Sequence, residues 1–169
     1  LAKELGMSQQ EVEEIRKGSL LHDIGKIGVK DSVLNKVEKL TPEELAHIRP
    51  GSRVLIHSAT GGVGLAAIQL ARNAGAEIFA TASVGKQETL RQPGIEHVYD
   101  SRQPGFADRI LEATAGAGVD IVLNTLGPEF LSENVRALAA NGHYVDITKT
   151  ARATVQQALS ARPDVVYHT

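Results

Sequence analysis

A glycine-rich run, Ala59-Thr60-Gly61-Gly62-Val63-Gly64, follows the apolar, β-branched stretch Arg53 to Ser58 and precedes a stretch of helical composition, Leu65 to Asn73. Strand, glycine turn and helix together suit a pyrophosphate. Glycine lets the backbone turn sharply and approach closely, and the helix N-terminus favours negative charge. The match to G-x-G-x-x-G is incomplete, because Ala59 stands at the first glycine position. A close-packed βα turn with no ligand would have the same composition. About 20 positions after the glycines, NAD enzymes carry a carboxylate that accepts the ribose 2′-hydroxyl. Here that segment reads Thr81-Ala82-Ser83-Val84-Gly85-Lys86, with neither Asp nor Glu. A carboxylate repels a 2′-phosphate, whereas a hydroxyl and an ammonium bind one. The expected ligand is therefore NADPH in preference to NADH. The plain alternative is that Lys86 is a solvated surface lysine.

Other residues of reactive type are less informative. His22 and Asp23 are adjacent, and imidazole with carboxylate suits Fe, Mn or similar ions that activate water. Such a site needs at least a third ligand and support behind it. His57-Ser58 beside the glycine run suggests nucleophilic chemistry, but no orienting acid is identifiable and strand position accounts for both. His97 and His143 fall at expected strand starts and read as structural, and Asp120 reads as the start of a strand.

The elements that must position these residues differ between two halves. Up to about Arg49 the chain is charged and helix-rich. Ser8 and Glu11 form a capping-box pattern ahead of Val12 and Ile15, for a helix to about Leu21. Gly25 and Gly28 break the loop that follows, and Thr41, Pro42 and Glu44 start a second helix that stops near Arg49. From Arg53 the grammar alternates. Strands are expected at 53–58, 77–81, 97–99, 120–123 and 143–147, with a sixth candidate at 165–167. Helices are expected at 65–73, 106–114 and about 129–139, and Gly75 is placed to end the first. Strands alternating with helices at this spacing imply right-handed parallel βαβ units. The expected fold is α/β, a Rossmann-type doubly wound parallel sheet (residues 50–169) preceded by a small helical segment (residues 1–49).

Composition narrows the function classes. The chain has 169 residues, 42% hydrophobic and 22% charged, with a formal net charge of -2. A nearly neutral surface gives no electrostatic case for nucleic acid or an anionic membrane. Aromatics are only 4%, which argues against base stacking. No apolar run approaches the roughly 20 residues that cross a bilayer, and no basic-then-apolar leader opens the sequence, so a cytoplasmic protein is expected. With no cysteine, disulfides, thiolate metal sites and cysteine nucleophiles are all excluded.

Three segments carry a resemblance. RVLIHSATGGVGLAAIQLARNAGAEIFATAS from Arg53, DSR at Asp100 to Arg102, and GVDIVLNTL at Gly118 to Leu126 closely resemble enoyl reductase domains of modular polyketide synthases. These belong to the quinone-oxidoreductase-like branch of the medium-chain dehydrogenase/reductase superfamily. The resemblance covers about Pro50 to Lys149. It implies NADPH-dependent reduction of an α,β-enoyl thioester, with hydride delivered to the β-carbon and no zinc. Carried over by motif, Thr60, Gly61, Gly62, Val63 and Gly64 would face the pyrophosphate, and Ser83 and Lys86 would take the 2′-phosphate. Ser101 and Arg102 would lie near the adenosine, and Asn124, Thr125 and Leu126 would approach the nicotinamide side.

The departures from that pattern bear on catalysis. LNTLGPE replaces LNSLAGE and puts Pro128 at the next helix start. NGHYVDITK places Asp146 and Thr148 where the family has a glutamate and a glycine. Ala151 replaces an acidic residue that is one proposed proton donor, and the lysine proposed in other relatives would fall on or near Phe130. The half that covers the nicotinamide and binds the acyl thioester should precede Pro50, where an unrelated sequence stands. Hydride transfer needs donor and acceptor held in near-attack geometry. The expectation is thus dinucleotide binding, with turnover only if a substrate domain is supplied, and with no catalytic residue assigned. Oligomeric state is left open, a homo-oligomer included.

The front end resembles something else. LHDIGKIGV at Leu21 to Val29, then DSVLNKVEKLTPEE at Asp31 to Glu44, resemble the opening of HD-GYP domains, metal-dependent phosphodiesterases of cyclic di-GMP. The resemblance implies metal at His22 and Asp23. His47 follows in the HIR run, but the family's later ligands are lost at the junction with Pro50-Gly51, so an orphaned fragment is expected. Two unrelated families meeting at Arg49-Pro50 point to a chimeric, recombined or designed chain. The alternatives to the reductase reading are a cyclic-dinucleotide phosphodiesterase fragment and a non-catalytic nucleotide-binding module.

Overall fold

The computed structural model describes residues 48–148 and 152–168. The expected helices ahead of Arg49, together with His22 and Asp23, lie outside the described residues. So do Lys149 and Ala151.

Six strands form one parallel sheet: β1 (Arg53–Ile56), β2 (Glu77–Ala82), β3 (His97–Asp100), β4 (Val119–Asn124), β5 (Leu138–Asp146) and β6 (Val166–His168). Their spatial order is β3-β2-β1-β4-β5-β6, with every neighbouring pair parallel. This is the doubly wound order, and the direction of winding reverses between β1 and β4. Among the described residues five helices cover the sheet: α1 (Gly62–Asn73), α2 (Gln87–Arg91), α3 (Phe106–Ala113), α4 (Leu131–Ala137) and α5 (Arg152–Leu159).

The core has two layers because side chains alternate across each strand. Val54 and Ile56 of β1 face one layer, where Val63, Ala67, Ile68 and Ala71 of α1 meet Ile78, Val98 and Leu123. Leu55 faces the other, with Phe79, Val122 and Tyr144 against Phe106 and Ile110 of α3 and Leu131 and Val135 of α4. Leu55, Ile56, Phe79 and Val122 are fully buried, and each contributes about 1.5–3 kcal/mol. A sheet covered on both faces needs near-continuous apolar strands, which RVLI and DIVLN supply.

Local chemistry sets the ends of α1. The Gly75 N–H bonds to the Arg72 carbonyl and the Ala76 N–H to the Ala71 carbonyl, both at 2.9 Å, with Gly75 left-handed at φ +72°. That is a Schellman ending, and glycine occupies its αL position without a Cβ penalty.

The structure corrects several boundaries. α1 starts at Gly62, inside the glycine run. β1 ends at Ile56, so His57 and Ser58 lie in the turn after it. The expected helix at 129–139 is a 3-10 turn (Pro128–Phe130) followed by α4, which ends at Ala137. Leu138 already pairs with Val119, and His143 pairs with Ile121, so β5 carries three extra residues in a bulge. His143 therefore sits within a strand and does not start one. Asn141, left-handed at φ +59°, and Gly142 make that excursion. The Arg162 guanidinium holds it by donating to the carbonyls of Val135 (3.2 Å), Leu138 (3.3 Å) and Ala139 (2.8 Å).

Candidate functional site

The parallel arrangement gathers the ends of β1, β2, β3, β4 and β5 along one edge of the sheet. Open α/β sheets bind ligands at this carboxyl edge, in the crevice where the winding reverses. All twelve residues that the resemblance assigns to the dinucleotide lie there. Thr60 to Gly64 form the turn after β1 and the first residues of α1. Ser83 and Lys86 flank and end a 3-10 turn after β2, and Ser101 and Arg102 follow β3. Asn124 ends β4, with Thr125 and Leu126 next.

The glycine turn shows why Ala59 and Gly64 occur together. Ala59 is fully buried, and its N–H donates to the Thr81 carbonyl at 2.9 Å, tying the turn to β2. A Cβ on Gly64 would lie 2.5 Å from the Ala59 Cα and 2.8 Å from its carbonyl oxygen. Backbone packs on backbone at that point, which presses the N-terminus of α1 against the end of β1. Before it, Ser58 is held at φ +47°, a left-handed conformation uncommon outside glycine. Its N–H donates to the Thr81 hydroxyl at 3.3 Å.

At the end of β2 the Ser83 side chain is half-buried and Lys86 is exposed. The neighbouring carboxylate is Asp100, one strand over. Its Oδ1 accepts the Arg102 N–H at 2.9 Å, and the Ser101 N–H donates to the Ala82 carbonyl at 3.1 Å. Those bonds fold the DSR turn back onto β2, beside Ser83.

On the other side of the switch point, the Asn124 side chain closes a small turn. Its Oδ1 accepts the Leu126 N–H at 3.1 Å, and its Nδ2 donates to the Leu126 carbonyl and to Asp146 Oδ1, each at 3.2 Å. Between them, the Thr125 hydroxyl is buried with no hydrogen-bond partner among the described residues. Buried hydroxyls are nearly always paired, and leaving one unpaired costs about 1–3 kcal/mol. An unsatisfied hydroxyl beside the crevice fits a polar ligand group. Phe130, where the relatives' lysine would fall, packs on the apolar layer beneath α3 and α4, with its ring 6.3 Å from that of Phe106.

Sequence reasoning missed what lies beneath the edge. His57 is buried against Phe106, and its ring bonds to Thr81 at 2.9 Å and to Asn134 at 2.7 Å. Burial pushes its pKa down to about 4, partly offset by the bond to Asn134, so the ring is neutral at pH 7. Residue types alone gave no signal for this pairing. Among the described residues no group of three or more His, Asp or Glu side chains is placed to hold a metal ion, and no helix is long and apolar enough to cross a membrane.

Residues 62–164 match the family model for zinc-binding dehydrogenases. The chain belongs to that family. Within it, the similarity is to the enoyl reductases of polyketide synthases. The chain is 50% identical over 108 residues to mycoketide-CoA synthase of Mycobacterium tuberculosis, which covers 63% of this chain and 3% of that protein. The crystal structure of CurK enoyl reductase superposes with a TM-score of 0.73 at 46% identity, covering 82% of this chain and 41% of that one. The nucleotide-binding subdomain of the enoylreductase domain of PpsC from Mycobacterium tuberculosis gives a TM-score of 0.68 at 41% identity, covering 80% and 76%. This zinc-binding dehydrogenase family member therefore spans less than half of the CurK chain and a small part of the synthase. A second model, for HD domains, matches residues 1–76, most of them outside the described residues.

Proposed function

We propose that this domain binds NADP(H) across the carboxyl edge of its sheet, as the cofactor half of an enoyl reductase. The observation that carries the reading is the meeting, at one edge, of a glycine turn pressed against α1 and a β2 end that bears Ser83 and Lys86 without a carboxylate. Gly62, Val63 and Gly64 supply backbone N–H groups at a helix start for the pyrophosphate, while the Gly61 N–H is spent within the turn on the Ser58 carbonyl. Ser83 and Lys86 supply a hydroxyl and an ammonium for the 2′-phosphate. Ser101 and Arg102 border the adenosine, and Thr125 offers its unpaired hydroxyl at the nicotinamide end. Bound NADPH would provide the hydride for the β-carbon of an enoyl thioester, and turnover requires a substrate-binding half to cover it.

The test is titration with NADPH and NADH, followed by nicotinamide fluorescence, on the wild type and Lys86→Ala. Micromolar NADPH affinity that falls about tenfold in the variant, with weaker NADH binding left unchanged, supports the site; tenfold corresponds to about 1.4 kcal/mol. Equal affinity for the two cofactors, untouched by the substitution, would overturn the 2′-phosphate assignment.

For residues 1–49 a second reading rests on the HD match: a separate metal-binding segment at His22 and Asp23, joined near Arg49-Pro50. Metal analysis of the purified chain, before and after His22→Ala, decides it.

A further inference from the structure

A line of buried polar side chains runs beneath the carboxyl edge, from the glycine turn to the far side of the switch point. Backbone atoms fix its direction. The Leu126 N–H donates to Asn124 Oδ1, so the Asn124 Nδ2 must face the Leu126 carbonyl and Asp146. Asn134 then presents Nδ2 to Asn124 Oδ1 at 3.0 Å, which turns its own Oδ1 toward His57 Nε2 at 2.7 Å. His57 Nε2 therefore carries the proton, and the bare Nδ1 accepts from the Thr81 hydroxyl at 2.9 Å. That hydroxyl in turn accepts the Ser58 N–H. One tautomer and one set of amide orientations satisfy every link.

Such a line is an expensive way to fill a core. Well-packed apolar side chains of similar volume are often as stable or more so, and fully paired polar networks confer a single arrangement instead. Its two ends are not random places. One is the left-handed Ser58 turn that leads into the glycine run, and the other is the turn at 124–126 that holds the unpaired Thr125 hydroxyl.

We propose that His57 and Asn134 are positioning residues, which lock the glycine turn and the 124–126 turn into one unit so that the pyrophosphate and the nicotinamide of a bound dinucleotide are set together. This inference rests on the cofactor reading above. Neither side chain needs to touch the ligand. His57 holds the Thr81–Ser58 end, Asn134 holds Asn124, and the bond between them spans 77 positions in the chain.

The test compares NADPH with 2′,5′-ADP, which carries only the adenosine end, by calorimetric titration of wild type, His57→Leu and His57→Gln. The expected result is that His57→Leu weakens NADPH about tenfold while 2′,5′-ADP changes by less than about twofold. His57→Gln, whose amide again donates to Asn134, should recover most of the loss. A merely structural role moves both ligands equally or neither, and either result overturns the proposal. Should His57→Leu fail to fold, Thr81→Val, which removes the hydroxyl that His57 Nδ1 accepts from, takes its place with the same two ligands: selective weakening of NADPH supports the link, and equal changes or none overturn it. If the wild type binds neither nucleotide, the cofactor reading itself fails, and this inference with it.

Discussion

Gly64 leaves no room for a side chain, because the nearest atoms to an added Cβ are the backbone of Ala59. Backbone cannot rotate aside, so Gly64→Ala should cost about 1–3 kcal/mol in urea unfolding and displace the start of α1 enough to abolish NADPH binding. Thr125 leads to the opposite kind of prediction. Replacing its unpaired hydroxyl with a methyl in Thr125→Val removes a buried unsatisfied oxygen. The free protein should gain up to about 1 kcal/mol while NADPH affinity falls several-fold; a loss of stability would mean the hydroxyl already has a partner. His57 adds a pH dependence. Its native pKa is lowered to about 4, below the ordinary value near 6.5, so the unfolded chain binds the proton first. Its contribution is fully present above about pH 6.5 and is lost as pH falls toward 4, by up to about 3 kcal/mol. Urea unfolding between pH 7.5 and 4.5 should show this slope, and His57→Gln should flatten it. Parallel curves for the two proteins would contradict the assignment.

At the scale of elements, the periodic signals were sound and the interruptions were not. The RVLI and DIVLN strands and the helix α1 were legible because apolar alternation and a glycine terminus are local properties. α2 and α5 carry no comparable local signal. α2 is one short turn in which only Leu90 is buried, and α5 buries Val155 and Leu159 against a layer built from distant strands. The overlong expectation for α4 has the same origin. Leu138, Ala139 and Ala140 have helical composition, but β4 claims Leu138 as a pairing partner, and the pairing outweighs weak intrinsic propensity. Arg162 makes that outcome possible by bonding three carbonyls around the bulge. Asp164 keeps the arginine in place, and its own carboxyl pKa is held well below the usual range by the guanidinium. Arg162→Ala should therefore cost about 2 kcal/mol and speed amide exchange in residues 138–142, with little change at β1 and β2.

For the molecule as a whole, a ligand that binds only the folded state stabilises it by mass action. NADPH at a hundredfold excess over its dissociation constant should add about 2.7 kcal/mol and raise the melting temperature by several degrees. NADH at the same concentration should do markedly less. A null result would separate the fold from the function that its relatives carry.

Chain order, alternation of strand and helix, and the glycine turn all follow from neighbours a few residues apart. They were enough to yield a parallel Rossmann-type sheet and the positions at its carboxyl edge. The absence of a carboxylate after β2 was readable for the same reason, since it is a property of six consecutive residues. Which polar groups meet beneath that edge was not readable. Thr81, His57, Asn134 and Asn124 become neighbours only when β1, β2, β4 and α4 pack together, and hydrogen bonds between them depend on burial and angle, which residue spacing does not encode. The Thr125 hydroxyl, unpaired among the described residues, is a property of the same packed state, because a group is unsatisfied only once the surrounding chain has excluded water from it.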